Sequence, residues 1–125
     1  MKILEENVYR KLNETEQFWI EKVLEIDFKG KKYLLGQVLR AKVHVEYGYD
    51  FISLKFKTEE NEKYPYSVRV PVEMRAFQEK STPIVFLLHV VNGFIDELEV
   101  ITADSSKIDM TTIKLDKMEY VINEV

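Results

Sequence analysis

His89, Asp96, Glu97, Glu99 and Asp104 are the residues of this chain whose types and spacing come nearest to chemistry. His89 precedes the dipeptide Asn92-Gly93 and Asp96 follows it. This dipeptide tolerates the two positive φ angles of a type I′ turn, so the flanking runs Ile84–Val91 and Phe94–Ile101 are expected to pair as a hairpin. A two-residue turn then sets Val91 opposite Phe94, His89 opposite Asp96, Leu87 opposite Leu98 and Val85 opposite Val100. A cross-strand carboxylate can fix a histidine tautomer, as a general base requires. A base must also have a group to activate. The chain has no Cys, and Ser53, Ser67, Ser81, Ser105 and Ser106 lie in no strained-turn nucleophile motif. The pair therefore reads as structural, no catalytic residue is assigned, and the chain is not expected to be an enzyme.

Glu97 and Glu99 fall two residues apart on one strand face, with Asp104 close behind. A calcium loop needs oxygen ligands at alternating positions around a glycine, whereas these acids lie on a regular strand. His44 and His89 are distant in sequence and have no ligand cluster around them. Neither a metal site nor a cofactor is expected.

Charge is segregated along the chain. Lys29, Lys31, Lys32, Arg40 and Lys42 fall in a stretch without acids, while Asp96, Glu97, Glu99 and Asp104 fall in one without Lys or Arg. Either the two groups pair within the domain, with Arg40 and Lys42 as partners of the acids, or the acids form a face aimed at a basic protein. Tyrosine, which gives large contact area for few rotamers, clusters at Tyr47 and Tyr49 and again at Tyr64 and Tyr66. The expected partner-binding set is therefore Glu97, Glu99 and Asp104, with Tyr47, Tyr49, Tyr64 and the acids Glu59, Glu60 and Glu62 of a solvated loop.

The length of 125 residues suits one hydrophobic core, so residues 1–125 are expected to form a single domain. Without Cys the fold needs no oxidising compartment, and Met1-Lys2-Ile3-Leu4-Glu5-Glu6 breaks off before a signal-peptide core, which points to the cytoplasm. The longest apolar run, Ile84 to Val91, falls far short of the roughly 20 residues that span a membrane. A net charge of −4 opposes the phosphate neutralisation on which nucleic-acid affinity rests, so no nucleic-acid partner is expected.

The elements that must position these residues follow from local patterns. Asn13-Glu14-Thr15-Glu16 is a capping box, and Phe18, Trp19, Ile20, Val23 and Leu24 form a helical stripe, with Glu16, Gln17, Glu21, Lys22 and Glu25 facing water and Lys29-Gly30 closing the segment. After a transition at Tyr33-Leu34-Leu35-Gly36, Leu39 to Tyr47 alternates as a strand, turns at Tyr47-Gly48-Tyr49-Asp50, and returns through Ile52, Leu54 and Phe56. A third strand alternates from Tyr66 to Met74, with Pro71 marking an edge or a bulge. Because Ile84–Val91 is apolar on both faces it should lie centrally, and a last strand around Met118, Tyr120 and Ile122 completes the sheet. The fold class is α+β, with one N-terminal amphipathic helix packed on a mainly antiparallel sheet of five or six strands.

Leu88-His89-Val90, Asn92-Gly93, Glu97-Leu98-Glu99-Val100 and Asp104-Ser105-Ser106, together with the capped helix and Leu35-Gly36-Gln37-Val38-Leu39, resemble a group of small bacterial domains of unknown function. In size and charge the chain is also similar to the immunity proteins encoded beside bacterial toxins. That likeness implies a non-catalytic protein that neutralises a basic toxin domain by direct binding. The alternative is a housekeeping interaction or small-ligand-binding domain.

Overall fold

In the computed structural model, residues 9–59, 62–78, 83–109 and 113–123 are described. Asn13 caps the first helix, α1 (Glu14–Val23): its side chain accepts from the Glu16 amide at 2.9 Å, and the Glu16 carboxylate accepts from the Asn13 amide at 3.0 Å. Trp19, Ile20, Val23 and the C-cap Leu24 are buried, whereas Phe18 is half-exposed beneath the Lys22 ammonium. Glu16, expected in water, is fully buried. The Arg10 guanidinium reaches it from outside the helix with two bonds of 2.8 and 2.7 Å, which offset the cost of removing a carboxylate from water.

Gly30, with φ of +85°, opens a second helix, α2 (Lys31–Leu39), where the sequence suggests only a transition. α2 has no side-chain cap and no acid in its first turn, and it exposes Leu35 and Leu39 while burying Leu34 and Gln37. Its apolar residues therefore form no single stripe to read.

Six strands follow: β1 (Ala41–Tyr47), β2 (Phe51–Thr58), β3 (Val72–Phe77), β4 (Ile84–Val91), β5 (Phe94–Thr102) and β6 (Lys114–Ile122). They form one antiparallel sheet in the order β1-β2-β5-β4-β3-β6. The α+β class with its antiparallel sheet, the central place of Ile84–Val91 and the final strand all stand as the sequence suggests; the second helix is additional. β3 lies between β4 and β6, so Pro71 marks no edge. The proline sits just before β3, where its missing amide leaves no gap in the ladder.

Alternation divides the sheet into two faces. Val43, Leu54, Leu98, Phe86, Leu88 and Met74 are buried on the face that receives both helices. Trp19 meets Phe86 edge-on at 6.0 Å between ring centroids, and the Tyr120 hydroxyl donates to the Lys22 carbonyl at 2.7 Å. The opposite face carries no helix among the described residues.

Asn92 and Gly93 have φ of 53° and 85°, the pair of positive values a type I′ turn needs. Val91 pairs with Phe94 and Val90 with Ile95, as the turn dictates, but His89 then pairs with Glu97 and Leu88 with Leu98. Asp96 is an extra residue, a β-bulge, and every pair beyond it is displaced by one from the regular hairpin.

Candidate functional site

The bulge decides what the open face presents. With Asp96 unpaired, Glu97 and Glu99 stay on the open side while Leu98 and Val100 enter the core. Cross-strand registers then assemble rows of side chains over the face. One row runs His44, Lys55, Glu97, His89, and the next runs Glu46, Ser53, Glu99, Leu87, Glu73, Val121. Three acids stand in the second row without a base among them. The row beyond, Phe51, Ile101, Val85, Arg75, Glu119, begins apolar and ends in opposite charges.

Glu97 and Glu99 differ in accessibility, at 17% and 36% of the side chain. Glu97 accepts from the Ser53 hydroxyl at 2.6 Å and lies 3.6 Å from the Lys55 ammonium. Its carboxylate is largely spent inside the domain, on Lys55 and Ser53 rather than on Arg40 or Lys42. Glu99 bonds His89 Nε2 at 2.8 Å. His89 is therefore oriented by Glu99, not by Asp96, because the bulge removes Asp96 from the position opposite it.

Arg69 completes this chain of contacts. Its Nε donates to His89 Nδ1 at 3.2 Å. A guanidinium only donates, so Nδ1 is the acceptor and the ring proton sits on Nε2, directed at Glu99. The Arg69 carbonyl also accepts the Val90 amide at 2.7 Å, so backbone and side chain are both tied to β4. Sequence alternation places Arg69 simply on the wet side of a strand, with no signal for this role.

Beside Arg69 lies an open cleft of about 620 Å³ between the segment Lys63–Arg69 and the hairpin tip. Its rim includes Lys63, Tyr66, Arg69, Val91 and Asn92, with no acid among the lining residues. Gln37 holds the tip from the helical side. Its Nε2 donates to the carbonyls of Gly93 at 2.9 Å and Glu62 at 3.1 Å, and its Oε1 accepts the Ile95 amide at 2.7 Å. A polar residue set among Leu34, Leu35, Val38 and Leu39 is the sequence signal for Gln37, and its burial makes hydrogen-bond partners obligatory.

The remaining partner-binding candidates do not converge. Tyr47, Tyr49 and Asp104 lie at the end of the sheet where β1 turns into β2 and β5 leaves it; Tyr49 is 68% exposed. The Asp104 side chain accepts the Ser106 amide at 3.1 Å, forming a local turn. Glu59 and Glu62 are exposed at the opposite end, roughly 27 Å away by the rise of a nine-residue strand. Tyr64, only 4% exposed, is a core residue. Its ring meets Tyr66 edge-on and closes over Gly30, where any side chain would strike it, and burial pushes its hydroxyl pKa up. Glu60 lies outside the described residues.

A second polar cluster joins Arg10, Glu16 and Tyr47. Burial raises the Glu16 pKa, but the Arg10 fork, the Asn13 amide and the Arg10 charge together hold it below the usual carboxylate value. Tyr47 is pushed up by burial and by the Glu16 charge. Arg10 also exchanges two backbone bonds with Val43, so the cluster fastens the entry of α1 to β1. No described helix is long and apolar enough to cross a membrane. The chain matches no protein-family model, no curated protein and no solved structure.

Proposed function

We propose that this chain is a non-catalytic binding protein of the toxin-neutralising immunity type, docking a basic protein domain on the open face of its sheet. The observation that carries the reading is the acid row Glu46, Glu99 and Glu73, set by register beside Leu87 and Val121 on a face that no described helix covers. Like charges gathered around an apolar centre favour an oppositely charged partner, speed its encounter and repel acidic competitors. Glu97 has a supporting place, since Lys55 and Ser53 already engage it.

The test is a Glu46→Lys/Glu73→Lys variant, which leaves the Glu97 and Glu99 bonds intact. After its circular dichroism and melting are matched to wild type, binding to the product of the adjacent gene is measured across a salt series. A large loss of affinity, mainly in association rate, is expected. Unchanged affinity with an unchanged salt slope removes this face from the interface and the reading with it.

A further inference from the structure

The geometry points to a separate small-molecule site: the cleft between Lys63–Arg69 and the hairpin tip binds a phosphomonoester, with Arg69 and Lys63 on the phosphate and Tyr66 beside the organic part.

Arg69 is held through both its side chain and its backbone. Its Nε is committed to His89, which Glu99 orients in turn, and its carbonyl is committed to Val90. The two terminal nitrogens make no hydrogen bond to a described residue. A guanidinium braced through Nε and free at both ends is a preorganised fork, matched to two oxygens of one oxyanion. The bracing also reduces the side-chain entropy that binding must overcome.

The surroundings select the ligand's charge. Lys63, on the same cleft, faces the Phe94 ring at 5.8 Å and pairs with no carboxylate among the described residues. Asn92 adds an amide, and no acid lines the walls. Two cations match the roughly −1.5 to −2 charge of a phosphomonoester at neutral pH, whereas a single carboxylate leaves one cation uncompensated. The volume of about 620 Å³ exceeds what a bare phosphate occupies and lies within the range of small-ligand sites. Tyr66 and Val91 supply aromatic and apolar wall for the rest of such a molecule. The cleft floor is rigid, because the Gly93 carbonyl is bonded by both Gln37 and the Tyr64 amide.

The chain's two histidines make the test direct. His89 touches Arg69, while His44 lies on β1 and serves as an internal control. Imidazole nitrogen resonances are followed during titration with inorganic phosphate, adenosine 5′-monophosphate or acetate at constant pH and ionic strength. Saturable shifts of His89, with His44 unmoved, are expected for both phosphate probes and not for acetate. The nucleotide should bind more tightly than inorganic phosphate, and equal affinities would overturn the assignment of the Tyr66 wall. Arg69→Gln should abolish saturation, and Arg69→Lys, which keeps the charge and loses the fork, should weaken binding about tenfold. Lys63→Gln, which changes neither bond of the His89 ring, should weaken phosphate binding without altering the free His89 signal. No saturable shift in wild type, an equal response to acetate, or unchanged binding in Arg69→Gln and Lys63→Gln would overturn the site.

Discussion

Gln37 Oε1 accepts the Ile95 amide at 2.7 Å, so a helix side chain satisfies a backbone group at the second residue pair behind the hairpin turn. The same amide group donates to Gly93 and Glu62 carbonyls. Gln37→Leu fills similar space but leaves the buried Ile95 amide without its acceptor and removes one of the two donors to the Gly93 carbonyl. With a cost of about 1–3 kcal/mol for one buried amide that water cannot reach, a loss of about 1–3 kcal/mol in urea unfolding is expected. A variant as stable as wild type would mean that the clamp is dispensable.

Gly93 has φ of +85° and stands against Lys63 and the Tyr64 carbonyl. Gly93→Val meets both a backbone a β-branched residue resists and a neighbour it strikes. Destabilisation of about 2 kcal/mol or more is expected from denaturant midpoints. A wild-type midpoint would contradict the turn.

Asp96 is the residue β5 has in excess. Deleting it brings Glu97 into a regular hairpin opposite His89 and leaves Leu98 and Val100 facing the core. The shortened chain should remain folded, with a native spectrum and a loss below about 1.5 kcal/mol. Deleting Val100 instead moves Ile101 and Thr102 out of phase with β4 and should cost far more. Comparable losses for the two deletions would refute the bulge.

The Glu16 carboxyl has its pKa lowered on folding, so the sign of its pH effect is fixed. Its stabilising contribution is complete above the unfolded value, near 4.5, and disappears as pH falls through the lower folded value. Relative to Glu16→Gln, wild type should lead by about 1–2 kcal/mol at neutral pH, a modest figure because Arg10 remains half-exposed. The gap should close in acid. A gap independent of pH would assign the effect to packing alone.

Much of this was legible because it is local. Asn13 and Glu16 announce a capping box within four residues, Asn92-Gly93 announces its turn and the two strands around it, and period-two alternation marks β1 and β2. What escaped is non-local. The burial of Glu16 depends on Arg10 crossing from β1's neighbour, and the burial of Tyr64 depends on the approach of Gly30. The bulge at Asp96 uses no positive φ and hence no glycine, so no residue type betrays it. One unannounced residue was enough to move His89 from Asp96 to Glu97 and to replace the expected His89-Asp96 structural pair with the Arg69-His89-Glu99 chain.

The strand order also has a consequence for the newly made chain. Synthesis from the N-terminus releases β1, β2 and β3 before the two strands that lie between β2 and β3 exist. Ser53 on β2 waits for Glu97, 44 positions later, to cover its edge. Until then the β1–β2 hairpin carries a bare row of amides and carbonyls, the kind of template to which other chains pair. The two-residue turn is the cheapest loop to close, so β4 and β5 should zip as they emerge and slot in as a wedge. A ribosome-stalled fragment ending before Ile84 should therefore bind chaperone, and one extended past Thr102 should release it.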